Sequence, residues 1–496
     1  MVSPKHLTTS AMENSNSRSP QATPEFTPHR DAQAFPKLLQ ATCDAAVAFL
    51  NNLPERPPGT IPNTTPVTRS ERPPSDTTES ADRLPEHGLG AMTALTRFRD
   101  RFEGGLSGSA GPRYLGFVTG GTTPAALAGD WLASTYDQNL MKDGDSLASA
   151  VERETLIMLR HLFGLSARFE GAFVSGATMA NATALATARQ WAGQRLGVDT
   201  AEEGLGGLPR IPVLCGAPHA SIAKATSMLG MGRRSVESLE LIPGRQCMDP
   251  AALETRLAQL DGTPAIVVAS AGDVNTGDFD DLTALAELCQ HHDAWLHIDG
   301  AFGLFAACDP DKRPLLAGYE HADSIATDGH KWLNVPYDSG IVFTRHLHRQ
   351  ERVFRAAAAY LGEGRDLLHR TPENSRRFRA LPAWMTLLAY GRSGYRDLVR
   401  RSCALARALG NFVERSEHFD LLASVRLNVV CFAPHRDEPG LRDRFLDRLT
   451  RDGRVFMSPT HFADRDAIRA AFANWSTSQS DLDLTIEALR DTASRV

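Results

Sequence analysis

The chain has 496 residues, 53 Lys and Arg against 59 Asp and Glu, and a net charge of −6, which gives it enough length for two or three domains around a large core. The charge is too even, and every basic block too short, for nucleic acid or an anionic membrane surface to be the expected partner. No apolar run reaches membrane-span length and no charged-then-apolar leader opens the chain, while seven scattered cysteines without a CxxC pair read as reduced thiols of a cytoplasmic protein.

In chain order, residues 1–33 are rich in Ser, Thr, Pro and Asn and are expected to be disordered. Apolar residues at helical spacing then predict a helix over Ala32–Leu53, followed by an extended proline-rich arm over Pro54–Pro74. Arg113–Gly121 reads as a short apolar segment ending in two glycines, with a helix opening at Thr123–Pro124. Ser146–Leu165 is a strongly amphipathic helix with Glu152 expected in its first turn, where a carboxylate suits the helix dipole. Over Ala172–Arg189 a β-type run ends at Val174, the small residues Ser175, Gly176, Ala177 and Thr178 make a turn, and an alanine-rich helix begins. That arrangement aims free N–H groups and a hydroxyl outward, a ready site for an anion such as phosphate.

His219 follows a short apolar strand and precedes a helix expected to be capped by Ser221. Ala265–Leu282 reads as a buried parallel-type strand, a polar loop and a helix start. Trp295–Asp299 is an apolar run ending in a carboxylate, trailed by the small residues Gly300 and Ala301; further on come His330, Lys331 and Trp332. A desolvated lysine can form a Schiff base with an aldehyde cofactor, and a carboxylate at the C-terminal end of a buried strand is what a pyridine nitrogen needs as partner. Tyr360, between a run of alanines and two glycines, sits on a loop suited to a lid. Arg376, Arg377 and Arg379 form a basic knot before a helix, and a strand–helix alternation including Val425–Phe432 and Arg469 closes the chain. The histidine clusters at His291–Asp293 and His346–His348 lie on expected surface segments, and no metal is assigned.

The HxDxA segment at His297–Ala301 and the HKW segment at His330–Trp332, at this separation, resemble the pyridoxal-phosphate-dependent group II amino-acid decarboxylases. These include the aromatic amino-acid, glutamate and histidine decarboxylases. The likeness runs from about Arg113 to Asp483. It implies an α/β fold of the aspartate-aminotransferase type (fold type I). A three-layer large domain with a mainly parallel sheet would span 113–380, and a small C-terminal α+β domain 381–496. Residues 34–112 would form an N-terminal helix and arm at the interface of a homodimer whose active sites lie between subunits.

By the same resemblance, Lys331 is the Schiff-base lysine, Asp299 the partner of the ring nitrogen, His219 the imidazole stacked on the ring and Ala301 the small residue beneath it. Ala177, Thr178 and His330 meet the phosphate. Tyr114, Phe117 and Thr119 line the substrate mouth, Arg379 helps position the loop or the substrate, and Tyr360 returns a proton to the substrate carbon. Two positions depart from the family pattern. Asp273 stands where a threonine is usual, which leaves Thr276 or Asn275 to supply a donor to the cofactor's phenolic oxygen. Asp328 stands where an asparagine usually helps hold the phosphate, and is expected to orient Lys331 or His330 instead. The implied reaction is conversion of an L-amino acid to its amine and carbon dioxide. Carbon–carbon cleavage, transamination or oxidative decarboxylation to an aldehyde on the same scaffold are the alternatives.

Overall fold

The computed structural model describes residues 28–59, 84, 87–143, 146–356 and 366–496. Tyr360, most of the 1–33 tail and much of the proline-rich arm lie outside them; within the tail, Pro28–Asp31 forms a helical turn. The described chain divides into two units, one of residues 1–52 and 64–106, the other of 53–63 and 107–496. In the smaller unit, the expected N-terminal helix runs Phe35–Asn52, a second runs Ala91–Arg101, and the Ala91 N–H donates to Asp31 (3.0 Å). Neither helix buries a residue, and Phe35, Leu39, Val47, Leu50 and Phe98 stay exposed.

The larger unit is built on a seven-stranded sheet of β1 (Glu170–Val174), β2 (Val213–Cys215), β3 (Val236–Ser238), β4 (Ile266–Ser270), β5 (Trp295–Asp299), β6 (Ser324–Asp328) and β7 (Gly340–Thr344). Its order is β1-β7-β6-β5-β4-β2-β3, parallel from β3 to β6, with β7 antiparallel to both its neighbours. Side chains alternate across it. Leu214, Val267, Ala269, Leu296, Ile298, Ile325 and Phe343 enter the core on one face. Val213, Cys215, Ile266, Val268 and Trp295 pack on the other, with Trp191 and Ile222 of the covering helices. Both faces are therefore covered, the three-layer arrangement expected. The Ala177–Arg195 helix is buried on all sides, which explains why its alanines show no polar stripe.

A second sheet, antiparallel in the order β10-β11-β9-β8, comprises β8 (Phe419–Leu421), β9 (Val429–Pro434), β10 (Ser458–Phe462) and β11 (Arg465–Ala471). From the domain boundary expected at 380/381 runs the helical stretch Ala380–Glu414, broken at Gly391 by non-helical backbone (φ 56°, ψ −170°). Its first part, through Cys403, packs in the large core, and Leu405, Ala406, Leu409 and Val413 pack in the small one.

Glu152 is a structural residue, but not through the helix dipole: the helix begins at Ala148 and has no acidic residue in its first turn. Its carboxylate makes a two-pronged pair with Arg376 (2.8 Å on each prong), both side chains wholly buried, and accepts weakly from the Phe173 N–H of β1 (3.4 Å). Removing one partner strands a buried charge, so Glu152→Gln is expected to lower stability by about 3–5 kcal/mol. Urea unfolding against wild type measures this, and a change below about 1 kcal/mol contradicts it.

Candidate active site

Asp299 ends β5 and Asp328 ends the neighbouring strand β6, so the carboxylate and the lysine segment emerge side by side at the C-terminal edge of the parallel strands. This is the edge where open α/β sheets bind ligands. Lys331 lies in the connection between antiparallel β6 and β7, on a single π-helical turn at Gly329–Leu333. The turn is held from several sides. Trp332 is wholly buried and donates to Ser402 (3.3 Å); Asn334 donates to the carbonyls of Trp332 (2.9 Å) and Ala473 (3.0 Å); Gly120 donates to the His330 carbonyl (3.4 Å). A Cβ at Gly120 would stand 1.7 Å from the Lys331 carbonyl oxygen, so only glycine lets the two segments meet. The Lys331 ammonium lies 3.2 Å from Asp328 Oδ2 and 5.5 Å from the Phe302 ring centre.

Asp299 is anchored by a buried chain of polar side chains. It accepts from Asn181 Nδ2 (2.9 Å) and from the Ala301 N–H (3.2 Å). Asn181 also donates to Ser221 Oγ (3.1 Å), and its Oδ1 lies 2.9 Å from Nε2 of His297, whose Nδ1 reaches Ser324 Oγ (2.9 Å). Ser324 Oγ accepts in turn from Trp295 Nε1 (3.1 Å). Since the Asn181 amide donates to Asp299, its oxygen accepts, and His297 carries its proton on Nε2.

Burial pushes the His297 imidazole down to about 4 from its ordinary 6.5, with Asp299 pulling weakly the other way. The unfolded chain therefore takes up this proton first as pH falls, and the stability that the neutral ring contributes is lost from pH 6.5 towards pH 4. The wild type's advantage over His297→Gln is expected to grow by about 3 kcal/mol between pH 4 and pH 6.5. Paired urea titrations at the two pH values test this; a constant difference contradicts it.

His219 starts the Ala220–Met228 helix, and its Nδ1 accepts from the Ser221 N–H (3.2 Å). Burial lowers its proton affinity, offset in part by Asp299, with Lys331, Asp328 and Arg469 also in its electrostatic surroundings. His330 is similarly lowered by burial, places Nδ1 2.9 Å from the Ser339 carbonyl, and stacks on Tyr337 at 4.4 Å. The β1–helix turn closes on the same place. Ala177 opens the Ala177–Arg195 helix, and a Cβ at Gly176 would come within 3.3 Å of His330 Cε1 and 3.5 Å of Asp328 Oδ1.

Other expected residues divide. Tyr114 stacks on Phe456 (4.7 Å), Phe117 is 61 % exposed at a positive φ of 57°, and Thr119 is buried. Arg379 is committed elsewhere: its guanidinium pairs with both Asp338 (2.8 Å) and Glu373 (2.9 Å), so its donors answer carboxylates of its own chain. The Thr276 hydroxyl is likewise spent within its loop, donating to Asp273 Oδ2 (2.8 Å) and accepting from the Asp278 N–H (3.2 Å); Asn275 Oδ1 accepts from Thr460 (2.6 Å). Asp273 takes N–H donations from Asn275 (3.0 Å) and Thr276 (2.7 Å), and burial raises its proton affinity. Sequence reading missed Asn181, Phe456 and Tyr337. It passed over Arg469 as well, whose buried guanidinium donates to the Val274 carbonyl (2.6 Å), leaves Nε without a partner among the described residues, and has Asp273 as its nearest charge influence.

Residues 76–434 match the model of the pyridoxal-dependent decarboxylase conserved domain. The chain belongs to this family. An aromatic-L-amino-acid decarboxylase of Bacillus atrophaeus is 28% identical over 392 residues, 75% of this chain and 79% of that protein. The L-2,4-diaminobutyrate decarboxylase of Rhizobium meliloti is 30% identical over 388 residues, 75% and 74% of the two. A solved Oryza sativa TDC structure with PLP and tryptamine superposes with a TM-score of 0.83 at 23% identity, covering 95% of this chain and 99% of that one. The fold is accordingly fold type I, the cofactor is pyridoxal 5'-phosphate, and the reaction is pyridoxal-dependent decarboxylation of an amino acid. The decarboxylase's side chains fit that cofactor: a carboxylate, Asp299, backed by an amide donor; a lysine paired with the carboxylate of the neighbouring strand end, Asp328; a neutral imidazole; and a helix start with a glycine-sized cradle. Among the described residues no helix is long and apolar enough to cross a membrane, and no cluster of ligands could hold a metal.

Proposed function

We propose that this decarboxylase converts an L-amino acid to its amine with Lys331 holding the cofactor and Asp299 holding the ring nitrogen's proton. The observation that carries the reading is the emergence of both residues from adjacent strand ends, with Asn181 fixing the Asp299 carboxylate. When bound, the cofactor supplies an electron sink for the carbon that loses its carboxylate. The protein's part is placement and charge. Asn181 and the Ala301 N–H keep Asp299 aimed, and His219, its proton affinity lowered by partial desolvation, offers a neutral ring face at the same site. Ala177, Thr178 and His330 gather the phosphate at the helix start. Arg469, planar, charged and with donor capacity to spare, is placed to bind a carboxylate, and we assign it to the substrate's own. Tyr114, Phe117 and Thr119 line the mouth, and Tyr360, on its alanine- and glycine-flanked loop, returns the proton in a closed site.

We further propose a cytoplasmic homodimer. The apolar side chains left exposed on the Phe35–Asn52 and Ala91–Arg101 helices support packing against a second copy. Product analysis by mass spectrometry, with cofactor-loaded protein and each common L-amino acid under air, tests the reaction. One amino acid yielding its amine and carbon dioxide is expected. An aldehyde, a keto acid or a shortened amino acid would overturn the assignment and point to Asp273 as the residue to examine.

A further inference from the structure

Asp328 places its carboxylate between the helix start and the lysine. Its Oδ1 accepts from the Ala177 N–H at 2.5 Å, the first amide of the Ala177–Arg195 helix. Its Oδ2 stands 3.2 Å from Lys331 Nζ and 3.6 Å from His330 Nε2. The side chain is almost wholly buried, and its own N–H is tied to the Ala301 carbonyl (2.9 Å). A carboxylate there meets two separate positive features: the partial charge at the head of the helix and the ammonium of Lys331. These are the features that a phosphate and an aldehyde would use from the other side. The phosphate must settle next to a fixed negative charge that already accepts from one of the helix amides.

We propose that Asp328 sets how strongly this site prefers a phosphorylated cofactor: it is a positioning residue that holds Lys331 and the helix start at the cost of opposing phosphate. A neutral amide at this place would keep an oxygen for the Ala177 N–H and offer a donor to phosphate, whereas the carboxylate supplies a counter-charge for the lysine and none for the ligand. The site therefore discriminates less between pyridoxal 5'-phosphate and plain pyridoxal than its helix start alone would allow. The inference rests on the assignment of the cofactor, and on nothing about the amino-acid substrate.

The test is equilibrium titration of full-length chain, stripped of cofactor, with pyridoxal 5'-phosphate and with pyridoxal, followed by the absorbance of the bound aldehyde. The quantity read is the ratio of the two dissociation constants. Asp328→Asn keeps the acceptor for Ala177 and removes the charge, so the preference for the phosphorylated form is expected to rise about tenfold, the scale of one partly compensated like-charge contact. Asp328→Ala, which loses both oxygens, is expected to raise the same ratio while weakening both affinities. A purely structural cap would weaken both ligands alike and leave the ratio where it was. An unchanged or lowered ratio in either variant that retains its thermal transition overturns the proposal, as does failure of both variants to fold. Wild-type chain that binds neither aldehyde would overturn the cofactor assignment along with it.

Discussion

Lys331→Ala is expected to abolish turnover, with kcat reduced at least about a thousandfold, because the amine proposed to hold the aldehyde has no substitute in the turn. The reason lies in the turn's construction. Gly120, Asn334 and Trp332 fix its backbone, so nothing can shift a second amine into the place of Nζ. Asp328, the lysine's carboxylate neighbour, would be left facing only His330 and the helix start. Treatment of the loaded proteins with borohydride followed by intact-mass measurement gives an independent readout. Wild type is expected to gain one reduced cofactor, and the alanine variant none. Covalent attachment persisting in the variant would show that another lysine does this work.

On the proposed role, Asp299→Asn should reduce kcat by about 10²- to 10³-fold, the effect of removing a preorganised charge from where it would steady developing electron density. The substitution nearly preserves shape and keeps one oxygen to accept from the Asn181 amide, but its own NH2 then faces the Ala301 N–H that now donates to Asp299 Oδ1. Steady-state kinetics separates the outcomes: a fall in kcat supports the role, whereas a rise in KM with kcat intact would reduce Asp299 to a binding contact. Asn181→Ala should show a weaker effect in the same direction, because it loosens the carboxylate without removing it.

The parts of the site that were legible in the sequence are those written in short local patterns. The run Trp295–Asp299 announced a buried strand with a carboxylate at its end, and the small residues from Ser175 announced a turn before an alanine-rich helix. What stayed hidden depends on contacts between distant segments. Nothing near Asn181 in the chain says that it will face Asp299, and nothing near His297 says that Ser324 and Asn181 will hold its two nitrogens. Glu152 looked like a helix-end charge because its partner, Arg376, is more than two hundred residues away. Arg379 looked available for a ligand because neither Asp338 nor Glu373 could be seen folding back on it. Where the small core begins stayed hidden for a related reason: the helical stretch Ala380–Glu414, broken at Gly391, carries apolar residues that serve two cores in turn.

The segment Arg113–Gly121, proposed to line the substrate mouth, is not an independent loop. Leu115 donates to the Phe456 carbonyl and accepts from the Ala471 N–H, the Phe117 N–H donates to Ser458, and Gly120 lies so near the lysine's own carbonyl that a Cβ there would overlap it. Exchanging this segment for that of a relative, to alter which amino acid is accepted, would therefore displace the lysine and loosen the edge of the small sheet together. Redesign of selectivity has more freedom at Tyr337, which is 66 % exposed and touches the site through the His330 ring.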